Sequence, residues 1–226
     1  MYKPSSSKLG SWQKADSNAL QLRLPYVLNL CTPFLVKEYS LFIDTTNNFC
    51  YVALYQATHL VKETKLKVDK NVTDLIVDSI NKLLIRKKVD KLALTHMCVN
   101  IGPGSFTGDK VGVIVAKAWK LVNPKLKISI INSLLLQTKS KPAVSIIDAK
   151  SNKLYLAVYG KNKIDVNPCC IEASSLDKYL KKYKKYDVYQ DLVDEMDKNY
   201  LIHIKDFKEI KSLNDLEPLY LKHPVK

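Results

Sequence analysis

Ile43-Asp44-Thr45-Thr46-Asn47-Asn48-Phe49-Cys50-Tyr51-Val52-Ala53-Leu54-Tyr55 and Ile147-Asp148-Ala149-Lys150-Ser151-Asn152-Lys153-Leu154-Tyr155-Leu156-Ala157-Val158-Tyr159 decide the fold. Each is an alternating run, a short polar turn and a second alternating run, the pattern of strand–turn–strand. Set together without a gap, they share Ile, Asp, Asn, Tyr, Ala and Tyr at matching positions. Any two amphipathic hairpins share alternation. They do not also share an Asp closing the first strand and an Asn in the turn. The match predicts a duplicated lobe, each half opening on the same hairpin.

Working outward, strands are expected at 39–44, 49–55, 91–99, 144–148 and 153–159. Between the hairpins, 71–86 carries apolar residues at 72, 75, 76, 79/80, 83 and 84, a helical spacing. Asp74 and Asp78 stand early and Arg86, Lys87 and Lys88 late, as the helix dipole favours. A Gly-rich turn at 102–108 leads to a helix over 109–122, stopped by Asn123-Pro124. After Pro168, Ser174-Ser175-Leu176-Asp177 reads as a capping box opening a Lys- and Tyr-rich helix. Short alternating segments follow at 187–190 and 201–204. The division expected is an N-terminal extension at 1–38, polar, Ser-rich and loosely ordered, then a lobe at 39–138 and a smaller one at 139–226.

With 226 residues, 46% hydrophobic and 26% charged, the chain has globular composition and is long enough to bury a real core. Its formal charge of +14 favours acidic partners. Arginine stands only at 23 and 86, and lysine is a solvated point charge with no fork for guanine or phosphate, so a plainly solvated surface accounts for the charge equally well. The five cysteines, at 31, 50, 98, 169 and 170, form neither a disulfide framework nor a zinc pattern, which reads as a reducing cytoplasm. The stretch 24–36 is a poor export or lipoprotein signal: Asn29 and Pro33 interrupt it, and Leu30 is large where a small residue is needed. No apolar run is long enough for a membrane span.

The sharpest local motif is Gly102-Pro103-Gly104-Ser105-Phe106-Thr107-Gly108. Lying between a strand and a helix, its amides and the helix dipole suit an anion. It is not a Walker A loop, because Asp109 replaces the lysine after Gly108, and its third glycine falls one place late for a dinucleotide fingerprint. Turn geometry alone also explains such glycines. The following helix carries Gly108, Gly112 and Ala116 at every fourth position, a smooth face for a close neighbour, beside Val115 and Trp119. It is apolar on most sides, and 71–86 over a wide arc. Each needs cover beyond a single stripe, from its own lobe or from a partner chain. Asp44 and Asp148 close strands, where paired carboxylates hold Mg-nucleotide or activate water, although Asp is also ordinary turn chemistry. The four histidines are scattered and no Cys–His pair stands out. The lysines of 178–185, interleaved with Tyr179, Tyr183 and Tyr186, suit RNA phosphates or a solvated helix face.

These residues together resemble a known family. Leu41-Phe42-Ile43-Asp44-Thr45-Thr46, the loop from Ile101 to Gly108 with Gly112 and Ala116-Lys117, Ile147-Asp148-Ala149 and Glu217-Pro218-Leu219-Tyr220-Leu221-Lys222 are similar, in order and spacing, to the landmarks of the TsaB (YeaZ) family. The likeness runs from about 39 to 222. It implies an α/β actin-like ATPase (ASKHA) fold of two ribonuclease-H-like lobes, in agreement with the repeat. It further implies a non-catalytic subunit working with a TsaD-type catalytic subunit and a TsaE-type ATPase to place threonylcarbamoyl on adenosine 37 of tRNA, meeting tRNA through the complex.

In the family the two helices pack against those of TsaD or of a second copy. The interface residues implied are Val72, Leu75, Ile76, Ser79, Gly108, Gly112, Val115, Ala116 and Trp119. Asp44, Thr45, Thr46 and Asp148 are the candidates for residual nucleotide binding. The catalytic relative carries Asn-His-Leu-x-Gly-His, whose histidines hold its metal. Here the stretch is Asn132-Ser133-Leu134-Leu135-Leu136-Gln137, so no metal, no cofactor and no transferase chemistry are expected of this chain alone. Lys110 replaces a usual Arg and Asn71 a usual His. The rival reading is a small ATP-binding phosphotransferase or ATPase using Asp44 and Asp148.

Overall fold

The computed structural model describes residues 38–68 and 71–222. Of the extension expected at 1–38 only Glu38 falls within them, and the stretch 24–36 lies outside. The first hairpin is β1 (Tyr39–Asp44) and β2 (Phe49–Gln56), followed by β3 (His59–Lys67) and helix α1 (Val72–Lys87). Then come β4 (Leu94–Asn100), α2 (Phe106–Val122), β5 (Lys127–Ile131) and the single turn α3 (Ser133–Leu136). The second hairpin is β6 (Ala143–Asp148) and β7 (Lys153–Tyr159). It is followed by β8 (Ile164–Glu172), α4 (Leu176–Lys182), β9 (Asp187–Gln190) and β10 (Lys208–Glu209).

One sheet runs β10-β5-β4-β1-β2-β3 and the other β8-β7-β6-β9. In both, the opening hairpin is antiparallel and its first strand then pairs in parallel with a later one, β1 with β4 and β6 with β9. β10 returns from the chain's end to pair with β5, so the last segment joins the first sheet.

Three cores result. Ile43, Val52 and Leu54 pack under α1 and α2. Val144, Ile146, Leu156 and Val158 pack under α4. Between the sheets, Tyr51, Ala53 and Tyr55 share one core with Ala157 and Tyr159, against which Tyr155 packs. The repeated Tyr-x-Ala-x-Tyr is thus the column by which β2 and β7 face a common interior, as the two-residue period of a strand requires.

The gapless match fails at the turns. Ile43 pairs with Val52, but Ile147 pairs with Tyr155, so the second turn is one residue shorter. A one-residue slip reverses the faces of a strand. Ile43 therefore points to the helix side and Ile147 to the shared interior.

Other expectations need amendment. The second helix starts at Phe106, because Ser105 is its N-cap and accepts the Gly108 amide. Ser174 sits inside a 3₁₀ turn (Ala173–Ser175), not the extended conformation of an N-cap, and the capping box is not made. Residues 201–204 form turns. There His203 is held by Asp206 Oδ2 at 2.8 Å on Nδ1 and the Thr138 carbonyl at 2.7 Å on Nε2. β3 and β8, unread in the sequence, are edge strands with weak alternation, and β8 tolerates Pro168 for that reason.

Candidate functional site

The signature loop and the first hairpin turn are built as one unit. The Ser105 amide donates to the Thr46 carbonyl at 2.7 Å, and the Thr45 hydroxyl to the Gly108 carbonyl at 2.7 Å. A Cβ at Gly104 would lie 2.0 Å from the Thr46 oxygen, and one at Gly108 would lie 1.8 Å from the Thr45 oxygen. Glycine is required at both because two backbones touch there.

Beneath the loop, Asp44 is buried in a polar network. Its Oδ1 accepts the Thr46 amide and hydroxyl at 2.9 and 2.8 Å, and its Oδ2 accepts Asn100 Nδ2 at 2.9 Å. Asn100 Oδ1 accepts the Ser133 hydroxyl at 3.1 Å and the Gly102 amide at 3.2 Å. Four of the loop amides that could have served an anion are used within the chain. Those of Gly102, Gly104, Ser105 and Gly108 are occupied by Asn100, Asp109, Thr46 and Ser105.

Asp109, in the first turn of α2, is buried, with Oδ2 accepting the Gly104 amide at 3.2 Å and Oδ1 unpartnered among the described residues. Burial pushes its carboxyl up to about 8, against the Gly104 hydrogen bond and with help from the Asp44 charge. The acid standing where a Walker A loop has its lysine is thus buried within the chain.

Asp44 and Asp148 are not an equivalent pair. Asp44 is 2% exposed, whereas Asp148 lies at the surface, ion-paired with Lys150 at 2.6 Å. The shorter second turn separates their fates. Asp148, Lys150, Thr46 and Ser105 line a cleft of about 570 Å³ between the two hairpin turns. The tail bonds to both halves of the chain. Leu219 donates to Ile101 at 2.8 Å, Lys117 pairs with Glu217 at 2.6 Å, and Lys222 reaches the Ala149 carbonyl at 3.1 Å.

The two positions where the catalytic relative places histidine do not fit a transition metal. Ser133 belongs to the Asn100 network. Gln137 is fully buried, donating to the Ser145 hydroxyl at 2.6 Å and the Ile146 carbonyl at 3.0 Å, and accepting the Leu192 amide at 3.1 Å. The amide is fixed at both ends in a fully buried site, and neither it nor the Ser133 hydroxyl is a good ligand for a transition metal. Burial pushes the Cys50 and Cys98 thiols up to about 12 and about 11, which makes them core residues and not nucleophiles.

The helix pair leaves one flank bare. On α1, Val77 is 46% exposed; on α2, Ile114, Leu121 and Val122 are 61%, 74% and 64% exposed. A groove of about 260 Å³ between the helices is lined by Val77, Asn81, Val115, Ala118, Trp119 and Val122. Of the residues expected at a partner interface, Val115 and Trp119 reach this groove. Val72, Ile76, Ser79, Gly108, Gly112 and Ala116 are buried in the chain itself, and Leu75 packs on the first core. A Cβ at Gly112 would meet Thr45 Oγ1 at 2.8 Å and Val99 at 3.7 Å. The smooth face therefore brings α2 close to its own sheet. The bare stripe, 114, 118, 121 and 122, follows helical spacing and was readable in the sequence.

The profile of the TsaD family, tRNA N6-adenosine threonylcarbamoyltransferase, matches residues 66–201. The tRNA threonylcarbamoyladenosine biosynthesis protein TsaB of Buchnera aphidicola (subsp. Schizaphis graminum) is 26% identical over 184 residues, 77% of this chain and 82% of its own. The chain belongs to this family, as one of its TsaB (YeaZ) members. An uncharacterized protein of Mycoplasma pneumoniae, the MG208 homolog, is 31% identical over 194 residues, 83% of this chain and 97% of that one. YeaZ from Pseudomonas aeruginosa superposes with a TM-score of 0.59 at 14% identity, covering 81% of this chain and 100% of the other. The paired sheets are thus the actin-like (ASKHA) α/β fold. Among the described residues, no helix is long and apolar enough to cross a membrane.

Proposed function

We propose that this TsaB-family chain serves tRNA threonylcarbamoyladenosine synthesis as a non-catalytic scaffold subunit. It pairs through the α1–α2 flank with a TsaD-type catalytic subunit, works with a TsaE-type ATPase, and meets tRNA adenosine 37 through that complex. The observation that carries this reading is the bare apolar groove between α1 and α2, which no residue described in the chain covers. Exposed apolar area of this kind on a soluble surface marks a protein contact. A second copy seated on the same flank is the homodimeric variant of the reading.

The support for a non-catalytic role is chemical. Ser133 and Gln137 stand where the catalytic relative holds its metal, both bound within the chain, and Asp44 is enclosed by its own turn. The cleft beside Asp148 favours the rival, an ATP-using phosphotransferase. Reconstitution separates the two: omitting this chain abolishes threonylcarbamoyladenosine formation by the TsaD-type subunit if the scaffold reading holds. Micromolar Mg-ATP binding with turnover by the isolated chain supports the rival.

A further inference from the structure

Helix α4 and the turn that follows it lie on the second sheet with Leu176, Tyr179, Leu180, Tyr183 and Tyr186 packed against its core. This docking turns the charged residues outward. Lys178, Lys181, Lys182, Lys184 and Lys185 are all exposed. Among the described residues none of these lysines is in an ion pair, whereas Lys153 on β7 and Lys163 just before β8 are paired with Glu172 and Asp165. Asp177 is the acid within 176–186 that shares their side. Tyr186 fixes the far end of the segment by its hydroxyl, which donates to Asp165 Oδ2 at 2.8 Å, and its ring lies tilted against that of Tyr183 with centroids 5.3 Å apart. The positive charge is therefore held on a rigid platform.

We infer that this platform is a direct contact for the phosphate backbone of RNA. The inference rests on the proposed role in tRNA modification, and adds a second contact on a face other than the α1–α2 flank. The exposed positions of 177–185 are Asp or Lys throughout, with no apolar anchor of the kind a protein interface or a membrane-bound helix presents. The tyrosines and leucines that would supply one are committed to the core. Lysine gives charge without a guanidinium fork, so the surface positions a nucleic acid and does not read its bases. At about 1.5 Å per residue the helix is on the order of 10 Å long, and Lys184 and Lys185 extend the row past its end. A duplex carrying roughly one charge per 1.7 Å sets about six phosphates against that length, comparable to the lysines available.

The test is binding of an unmodified tRNA transcript to the full chain, by fluorescence anisotropy across a salt series. Replacing all five lysines, K178Q, K181Q, K182Q, K184Q and K185Q, removes about five phosphate contacts. The slope of log K against log salt then becomes shallower by roughly 3 to 4, at about 0.7 to 0.9 per contact, with weaker binding at every salt. The charge-matched set K62Q, K67Q, K205Q, K208Q and K211Q keeps most of the slope. Unchanged urea midpoints show that both variants fold. Equal losses in the two sets, or an unchanged slope in the first, overturn the inference. So does preference of the wild-type chain for anionic phospholipid vesicles over tRNA at equal charge. Co-elution of the five-lysine variant with a TsaD-type subunit is read separately. Its loss puts the platform in the subunit interface and overturns the RNA inference, whereas its retention keeps the two contacts on separate faces.

Discussion

Asp109 accepts the Gly104 amide at 3.2 Å through one oxygen and buries the other without a partner. The second glycine of the signature loop and the acid after its third are thus one structural element. Gly102, at φ +93°, clears the space, since a Cβ there would lie 2.5 Å from the same carboxyl oxygen.

This pairing predicts how stability varies with pH. The Asp109 carboxyl titrates near 8 in the folded chain against about 4 unfolded, so the unfolded state loses the proton first. The contribution of Asp109 is undiminished below pH 4, falls as pH rises through the interval, and is lowest above pH 8. At about 1.4 kcal/mol per unit the loss reaches several kcal/mol. Asp109→Asn should flatten this fall, and urea midpoints at pH 5 and pH 8.5 measure it.

The touching backbones at the loop predict a steep steric response. Gly104→Ala and Gly108→Ala should each cost about 3 kcal/mol or more, because the carbonyls they meet belong to a fixed turn. Gly112→Leu should also lower the thermal midpoint of the isolated chain, since it strikes Thr45 and Val99. Were Gly112 instead to face a partner, the isolated chain would melt unchanged. Thermal melts of the three variants distinguish these outcomes.

Gln137 predicts the consequence of losing the metal-binding residue. Gln137→Ala strands the Leu192 amide, while the Ser145 hydroxyl keeps the Leu134 carbonyl, and should cost roughly 1–3 kcal/mol. The double change Ser133→His and Gln137→His should lower stability without adding stoichiometric zinc, measured by elemental analysis. Both new rings would have to displace satisfied core hydrogen bonds.

Much of this fold was legible because it rests on strand alternation. Tyr51, Ala53, Tyr55, Ala157 and Tyr159 fell on a shared interior as their spacing required. The inequality of Asp44 and Asp148 was not legible. It arises from a one-residue difference in pairing, which leaves the residue match intact while changing which face a strand shows. β3 and β8 escaped because edge strands need little apolar patterning. The site was read in part. The helices were rightly singled out as apolar beyond one stripe. Their Gly108–Gly112–Ala116 face, however, suits approach to a sheet as well as to a helix, and sequence spacing does not say which.

The most direct measurement is the affinity of the TsaD-type subunit for the chain carrying Ile114→Asp and Leu121→Asp, beside the wild type. Both side chains are exposed, so folding stability should change by no more than about 0.5 kcal/mol each. The account predicts a stable wild-type pair on size exclusion and at least a hundred-fold weaker pairing for the variant, with an unchanged thermal midpoint. Undiminished pairing of the folded variant would contradict it.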